Sequence, residues 1–124
     1  MRALHLAALT LPVMLLNSCA TQQVSYQNDV VPILESRCAS CHTPPDGAGF
    51  RATGLSLESY DALMQGTAYG PVIYAGDSRR SILNMLVEGR AGKMQRMPHN
   101  DEETLSEAQI EILKNWVNQG ALDN

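Results

Sequence analysis

The chain has 124 residues, with 9 Lys and Arg against 13 Asp and Glu for a formal net charge of -4, and 44% of its residues are hydrophobic. That is the size of one ordinary domain, too short for a multidomain enzyme, and a sequence pI of about 5.2 excludes the basic signature of a nucleic-acid-binding domain. With one Trp, one Phe and four Tyr, a core must be built from Leu, Ile, Val and Met, which leaves room inside for a bulky apolar group.

Residues 1–18 read as an export signal. Arg2 and the amino terminus form a positive end, a mostly apolar run extends from Ala3 to Leu16, and small residues follow. The run is interrupted by His5 and Pro12 and falls short of the roughly 18 residues of a transmembrane helix. Leu16, Asn17, Ser18 and Cys19 resemble a bacterial lipoprotein signal, which implies cleavage before Cys19 and lipidation of its thiol. Cleavage after Ala20 is the alternative, because Ser18 and Ala20 are also small. The lipoprotein reading makes residues 19–25 a short tether and residues 26–124 the folded domain. An extended chain spans at most about 3.3–3.6 Å per residue, so the domain is expected on the order of 25 Å or less from its membrane. Several acyl chains, at about 0.8 kcal/mol per buried CH₂, anchor stably. The expected location is the periplasmic side of the cell envelope, lipid-anchored to a membrane.

In the first predicted helix, Val30, Ile33, Leu34, Cys38 and Cys41 repeat on one face, with Pro32 removing a hydrogen bond or bending the helix. With Cys19 assigned to lipid, the remaining cysteines are Cys38 and Cys41, and His42 follows directly. This is the C-x-x-C-H string of c-type haem attachment. Two cysteines three apart on a helical turn share one surface. Each sulfur can add to one vinyl group of a single porphyrin, and the imidazole of the next residue can bind the iron. A thioredoxin-like redox pair would need a βαβ context, and a structural zinc site would need four ligands, whereas His99 is the only other histidine after the signal. A structural disulfide is the third alternative. The adjacent histidine and the export signal favour haem.

Further along, Ser59 to Gln65 reads as a short helix ended by Gly66, and Asp77 as the cap of a run that turns Ile82, Leu83 and Leu86 inward before Gly89. In the last helix Ser106 and Gln109 make a capping box and Leu105 and Ile110 a hydrophobic staple. Ile110, Leu113 and Val117 then repeat on one face with Trp116 alongside, and Gly120 supplies the stop. Residues 43–58, 66–76 and 89–104 read as Gly/Pro-rich loops forming the walls and rim of the haem crevice.

A second iron ligand is expected downstream. Met64 and Met85 lie within helical patterns and read as core, whereas Met94 and Met97 lie in a loop. Pro98 restricts Met97 to extended backbone, and a thioether is a soft ligand that, paired with His, raises the reduction potential. Met97 is therefore the expected distal ligand, with Met94 and His99 as alternatives; His99 also reads as a solvated loop residue. Leu55, Leu57, Tyr74, Ile82, Leu83, Leu86 and Trp116 are candidate haem contacts or plain core. Arg79 and Arg80 are candidate partners of the haem propionates or part of an exposed helix face. A backbone carbonyl in the loop after His42 is expected to support its ring.

The pieces Asp29 to Leu34, Cys38 to His42, Gly54 to Leu57, Gly70 to Val72, Gly76 to Leu83, Met97 with Pro98, and Leu105 to Ala121 occur in one order that resembles the compact monohaem class I cytochromes c. The resemblance spans residues 26–121. It implies an all-α, cytochrome c-like helical fold around one covalent haem c, with Cys38 and Cys41 as thioether attachments, His42 as proximal ligand and Met97 as distal ligand. It further implies electron transfer by six-coordinate iron and not an enzyme, with redox proteins as partners and no nucleic acid. The acidic charge, one unit more negative once Arg2 leaves with the signal, suits a partner with a basic surface. A haem enzyme or gas-binding sensor with a displaceable distal ligand is the alternative function, and an interaction module whose haem only stabilises the core is a third.

Overall fold

The computed structural model describes residues 22–99 and 104–124; the expected export signal, Cys19 and the start of the tether lie outside them. Among the described residues the chain is all-helical, and its single β-type contact is the isolated bridge between Thr67 and Gly70. No described helix is long and apolar enough to cross a membrane.

The fold begins with a π-helical turn over Tyr26–Val30, in which the Ser25 hydroxyl accepts from the Asn28 N–H. Helix α1 (Val31–Arg37) follows, with Pro32 in its first turn. The π-helical turn runs directly into α1, so Pro32 lies inside a continuous helical segment and its missing N–H forgoes a bond there, as expected. A bend falls at Cys38 (φ -129°), which separates α1 from α2 (Ala39–His42). The Cys38 N–H still donates to Leu34 O, and the N–H groups of Cys41 and His42 both donate to Cys38 O. The haem-type motif thus hangs from the end of α1 by a tight, hydrogen-bonded corner.

Residues 43–58 are not all loop, contrary to the expectation from their composition. They contain helix α3 (Ala48–Thr53), ended by Gly54 in the left-handed region at φ 78°. No side chain caps this helix, and Gly49 within it lowers its intrinsic propensity. Packing against α2 forms it. Helix α4 (Tyr60–Gln65) has the expected Ser59 cap, whose hydroxyl accepts from the Ala62 N–H at 3.1 Å.

Asp77 does not cap the next helix. Its Oδ1 accepts from the N–H groups of Arg79 and Arg80, closing a turn of its own, and α5 (Ile82–Val87) begins after Ser81. A short 3-10 turn, Lys93–Gln95, lies within the expected loop 89–104. Helix α6 (Glu107–Asn118) has the expected capping box of Ser106 and Gln109. At its far end Gly120 N–H donates to Val117 O and Ala121 N–H to Trp116 O, the paired bonds of a Schellman stop.

The core lies between the two ends of the described chain. Val30, Ile33 and Leu34 are buried with Leu113, Trp116 and Val117 of α6. Tyr26 stacks on Trp116 at 5.3 Å and meets Tyr60 edge-on at 5.2 Å, contacts that contribute about 0.5–1.5 kcal/mol each beyond burial. Tyr26 N–H donates to Asn124 Oδ1 and Val24 N–H to Gln119 Oε1. These bonds fix the start of α1 against α6, and so fix where its far end delivers Cys38.

Candidate functional site

The motif opens onto a cleft of about 450 Å³ lined by Cys38, Cys41, His42 and Gly49 on one side of the sequence and by Met97 and His99 from the distant loop. A smaller apolar cavity of about 70 Å³ shares Cys38, His42 and Met97 with it and is completed by Leu55, Leu57, Ile82, Leu83 and Leu86 among others. The two spaces meet at the three shared side chains. The Met97 N–H donates to Leu86 O at 3.2 Å, which seats the loop on α5.

Sequence-expected residues divide on this geometry. Cys38, Cys41, His42 and Met97 come together, and so does His99, whereas Met94 is 86% exposed and lines neither space. Leu55, Leu57, Ile82, Leu83 and Leu86 line the smaller cavity. Tyr74 and Trp116 do not line the crevice. Trp116 is 1% exposed in the core and its indole N–H donates to Leu122 O, while Tyr74 lies at the surface beneath the Arg80 guanidinium, 4.8 Å from its ring centre. Arg79 and Arg80 are exposed on the turn that Asp77 closes and line neither space.

Around His42 the chain folds back on itself. The Leu57 N–H donates to His42 O at 3.0 Å, and the Leu55 backbone lies near enough to the ring to favour its protonated form. Nδ1 is nevertheless buried without a partner at hydrogen-bonding geometry. Burial is the largest influence on His42 and lowers its pKa, the Leu55 backbone opposes this, and the charge of His99 lowers it further. The net result favours the neutral imidazole that a metal requires. The Cys38 thiol, pushed up to about 11 by burial and then by the charge of Cys41, stays protonated near neutrality. Cys41 is exposed, and neither cysteine is in a disulfide.

Gly49 is a site residue that sequence reasoning missed. A Cβ there would stand 2.6 Å from His42 Cε1 and 2.8 Å from Nε2, so the absence of a side chain lets α3 lie against the imidazole. Its only trace in the sequence is a glycine seven residues after the histidine, inside a stretch whose composition reads as loop. Arg37 is the second; it lines the cleft, and its Nε is buried without a partner.

Residues 38–101 match the protein family described as Planctomycete cytochrome C. The chain belongs to this family. Comparison with curated proteins and with solved structures gave no match. Membership implies a covalently bound c-type haem with its iron, and haem-based electron transfer is the activity such a domain suggests. The residues present in this cytochrome fit that group. The cleft lies within the roughly 300–1,000 Å³ of ligand sites, and two unpaired cysteines and an imidazole line it together. Residue 49, where a side chain would intrude on the ring, is glycine.

Proposed function

We propose that this cytochrome is an exported, lipid-anchored, monohaem electron carrier of the class I type, with Cys38 and Cys41 as thioether attachments and His42 and Met97 as the axial ligands. The observation that carries the reading is that His42 and Met97, 55 positions apart in the sequence, line the same two adjoining spaces. Bound haem supplies the Fe(III)/Fe(II) couple. The protein's part is to hold an imidazole and a thioether at the crevice, to exclude water with the leucines of the smaller cavity, and to leave no coordination position for substrate. Pairing sulfur with imidazole in an apolar surround raises the reduction potential. Lipidation at Cys19 would keep the domain beside its membrane, on the periplasmic side of the envelope, where redox proteins act as donor and acceptor.

His99 supports a second reading. It lines the same cleft two residues beyond Met97, so an imidazole is available should sulfur leave, as in a haem enzyme or gas sensor with a displaceable distal ligand. Visible spectra of the holoprotein in both redox states separate the two. Met97→Ala is expected to remove the His/Met spectrum, open the iron to carbon monoxide and lower the potential, while His99→Ala leaves all three unchanged. A Met97→Ala protein with the parent spectrum overturns the proposed ligand set. Mass spectrometry of the mature N-terminus tests the anchor, and an unmodified Thr21 there removes it.

A further inference from the structure

Among the described residues, Arg37 is the one Lys or Arg that lines either space at the crevice, and no Asp or Glu lines them. Its guanidinium is always charged. The Nε is buried without a partner, and no carboxylate among those residues forms an ion pair with it. The other arginines are placed differently. Arg90 is paired with Glu88 and bonded to two carbonyls, Arg51 donates to Asp46 O, and Arg79 and Arg80 are exposed on the turn that Asp77 closes. Arg96 also has a buried Nε without a partner, but it lines neither space and its stem lies against Gly89.

The backbone fixes where this charge stands. Arg37 is the last residue of α1, and the Cys38 that follows is held by its N–H on Leu34 O. The guanidinium therefore borders the same cleft as Cys38, Cys41 and His42. Its effect there follows from the charge of an iron held by His42. Reduction adds one electron, delivered by a redox protein, and removes one positive charge from the centre, with no bond made or broken in the chain. A fixed cation nearby disfavours the oxidised form more than the reduced one. Apolar surroundings weaken the screening that water and salt provide, and no carboxylate lining the cleft cancels the field.

We propose that Arg37 sets the electrostatic field at the iron and raises the reduction potential above what the axial ligands alone confer. This role rests on the reading of the crevice as an electron-carrying haem site and holds whichever residue is the distal ligand.

The test is the midpoint potential of the holoprotein, measured by spectroscopic redox titration at neutral pH and at about 0.01 M and about 1 M ionic strength. Arg37→Gln is expected to shift the Fe(II)/Fe(III) equilibrium about threefold toward Fe(III), or about 28 mV at about 59 mV per tenfold. Arg37→Met, which also keeps an apolar stem, should match it, and both should keep most of the shift at the higher ionic strength. Arg37→Lys restores the charge and should recover at least half of the shift. The control Arg79→Gln removes the same charge from an exposed turn, should shift the equilibrium less than about 1.5-fold, and should lose even that in salt. The visible spectrum of every variant is expected to keep the axial-ligand bands of the parent. A parent chain that binds no haem overturns the reading of the site itself. With haem bound, a neutral variant at the parent potential, a shift no larger than that of Arg79→Gln, a lysine variant as low as the glutamine one, or altered ligand bands in Arg37→Gln overturns the role of Arg37 alone.

Discussion

Replacing Gly49 with alanine sets two effects of opposite sign against each other. Gly49 is in the first turn of α3 and has no left-handed backbone requirement. On propensity alone the change should therefore stabilise the helix, by at most about 0.8–1.0 kcal/mol. Against this, the new methyl would stand 2.6 Å from His42 Cε1, 2.8 Å from Nε2 and 3.0 Å from Cys41 O. Ordinary carbon contacts lie at about 3.5–4.0 Å, so something must move by several tenths of an ångström or more. A free histidine could swing away. A histidine held at its backbone by the α2 corner and, under the proposed ligation, at its ring by iron cannot, and overpacking of a held group costs about 1–3 kcal/mol. The net expectation is a loss of about 1–2 kcal/mol in guanidinium unfolding of the holoprotein, together with a disturbed axial-ligand spectrum. Ala48→Gly, at the exposed neighbouring position, supplies the contrast. It should lose up to about 1 kcal/mol by propensity with the spectrum unchanged. A Gly49→Ala protein about 1 kcal/mol more stable than its parent and spectrally identical to it would falsify the packing of α3 on the His42 ring.

Three further expectations follow from polar groups outside the crevice. Asn84 is 0% exposed and both its amide oxygen and nitrogen lack partners, so Asn84→Leu, which keeps the branching and removes the polar atoms, should be neutral or stabilise by about 1 kcal/mol in thermal unfolding; a loss above about 2 kcal/mol would show that the amide is satisfied in solution. The Arg90 guanidinium donates to Ser78 O at 3.1 Å and Arg79 O at 3.0 Å while pairing with Glu88. Its planar fork is what reaches all three, so Arg90→Ala should lose about 1–2 kcal/mol and Arg90→Lys should recover less than half of that; full recovery by lysine would contradict it. Burial first, then the Asp123 charge, raises the Tyr26 pKa above 10.0, so between pH 10 and that raised value the folded chain holds a proton that the unfolded chain releases. Stability present below pH 10 is therefore expected to decline above it, and urea unfolding from pH 8 to 11.5 should show a shallower decline in Tyr26→Phe than in the parent.

The parts of this molecule that sequence reasoning reached are those written in local chemistry. The Ser59 cap and the Ser106 and Gln109 box each depend on residues within a few positions of one another, and each is found where its residues stand, whereas the single first helix expected to carry both Cys38 and Cys41 breaks at Cys38. The α3 helix was not legible because nothing local makes it; it exists through packing on α2. Asp77 illustrates a subtler limit. A carboxylate ahead of a helical run is a good cap by type, but here its oxygen reaches the N–H groups two and three residues on and closes a separate turn, so the helix starts later. Trp116 had the periodicity of a core residue and the size of a haem contact. Its partner proved to be Tyr26, 90 positions away, and no pattern within α6 could choose between the two. Among the candidate distal ligands, sequence could not rank exposure, and the structure removes Met94 from the crevice while keeping Met97 and His99 beside it.

The placement of the crevice depends on contacts remote from it because its own helices are too short to orient themselves. Helices α1 to α5 run from four to seven residues, well below the roughly 12–15 that an isolated helix needs for marginal stability in water. Only α6, with 12 residues, a capping box and a Schellman stop, has strong terminal signals of its own, and it does not line the crevice. Its influence reaches the site through Trp116, Tyr26 and the backbone bonds between residues 24–27 and 119–124, which hold the start of α1 so that the Cys38 corner falls opposite the Met97 loop. That loop is in turn held by α5 through the Leu86 carbonyl, and α5 contacts α6. Both walls of the crevice therefore refer back to one helix, and a small protein with few aromatic residues can fix an imidazole and a thioether across a large apolar space without lining that space with rigid elements of its own.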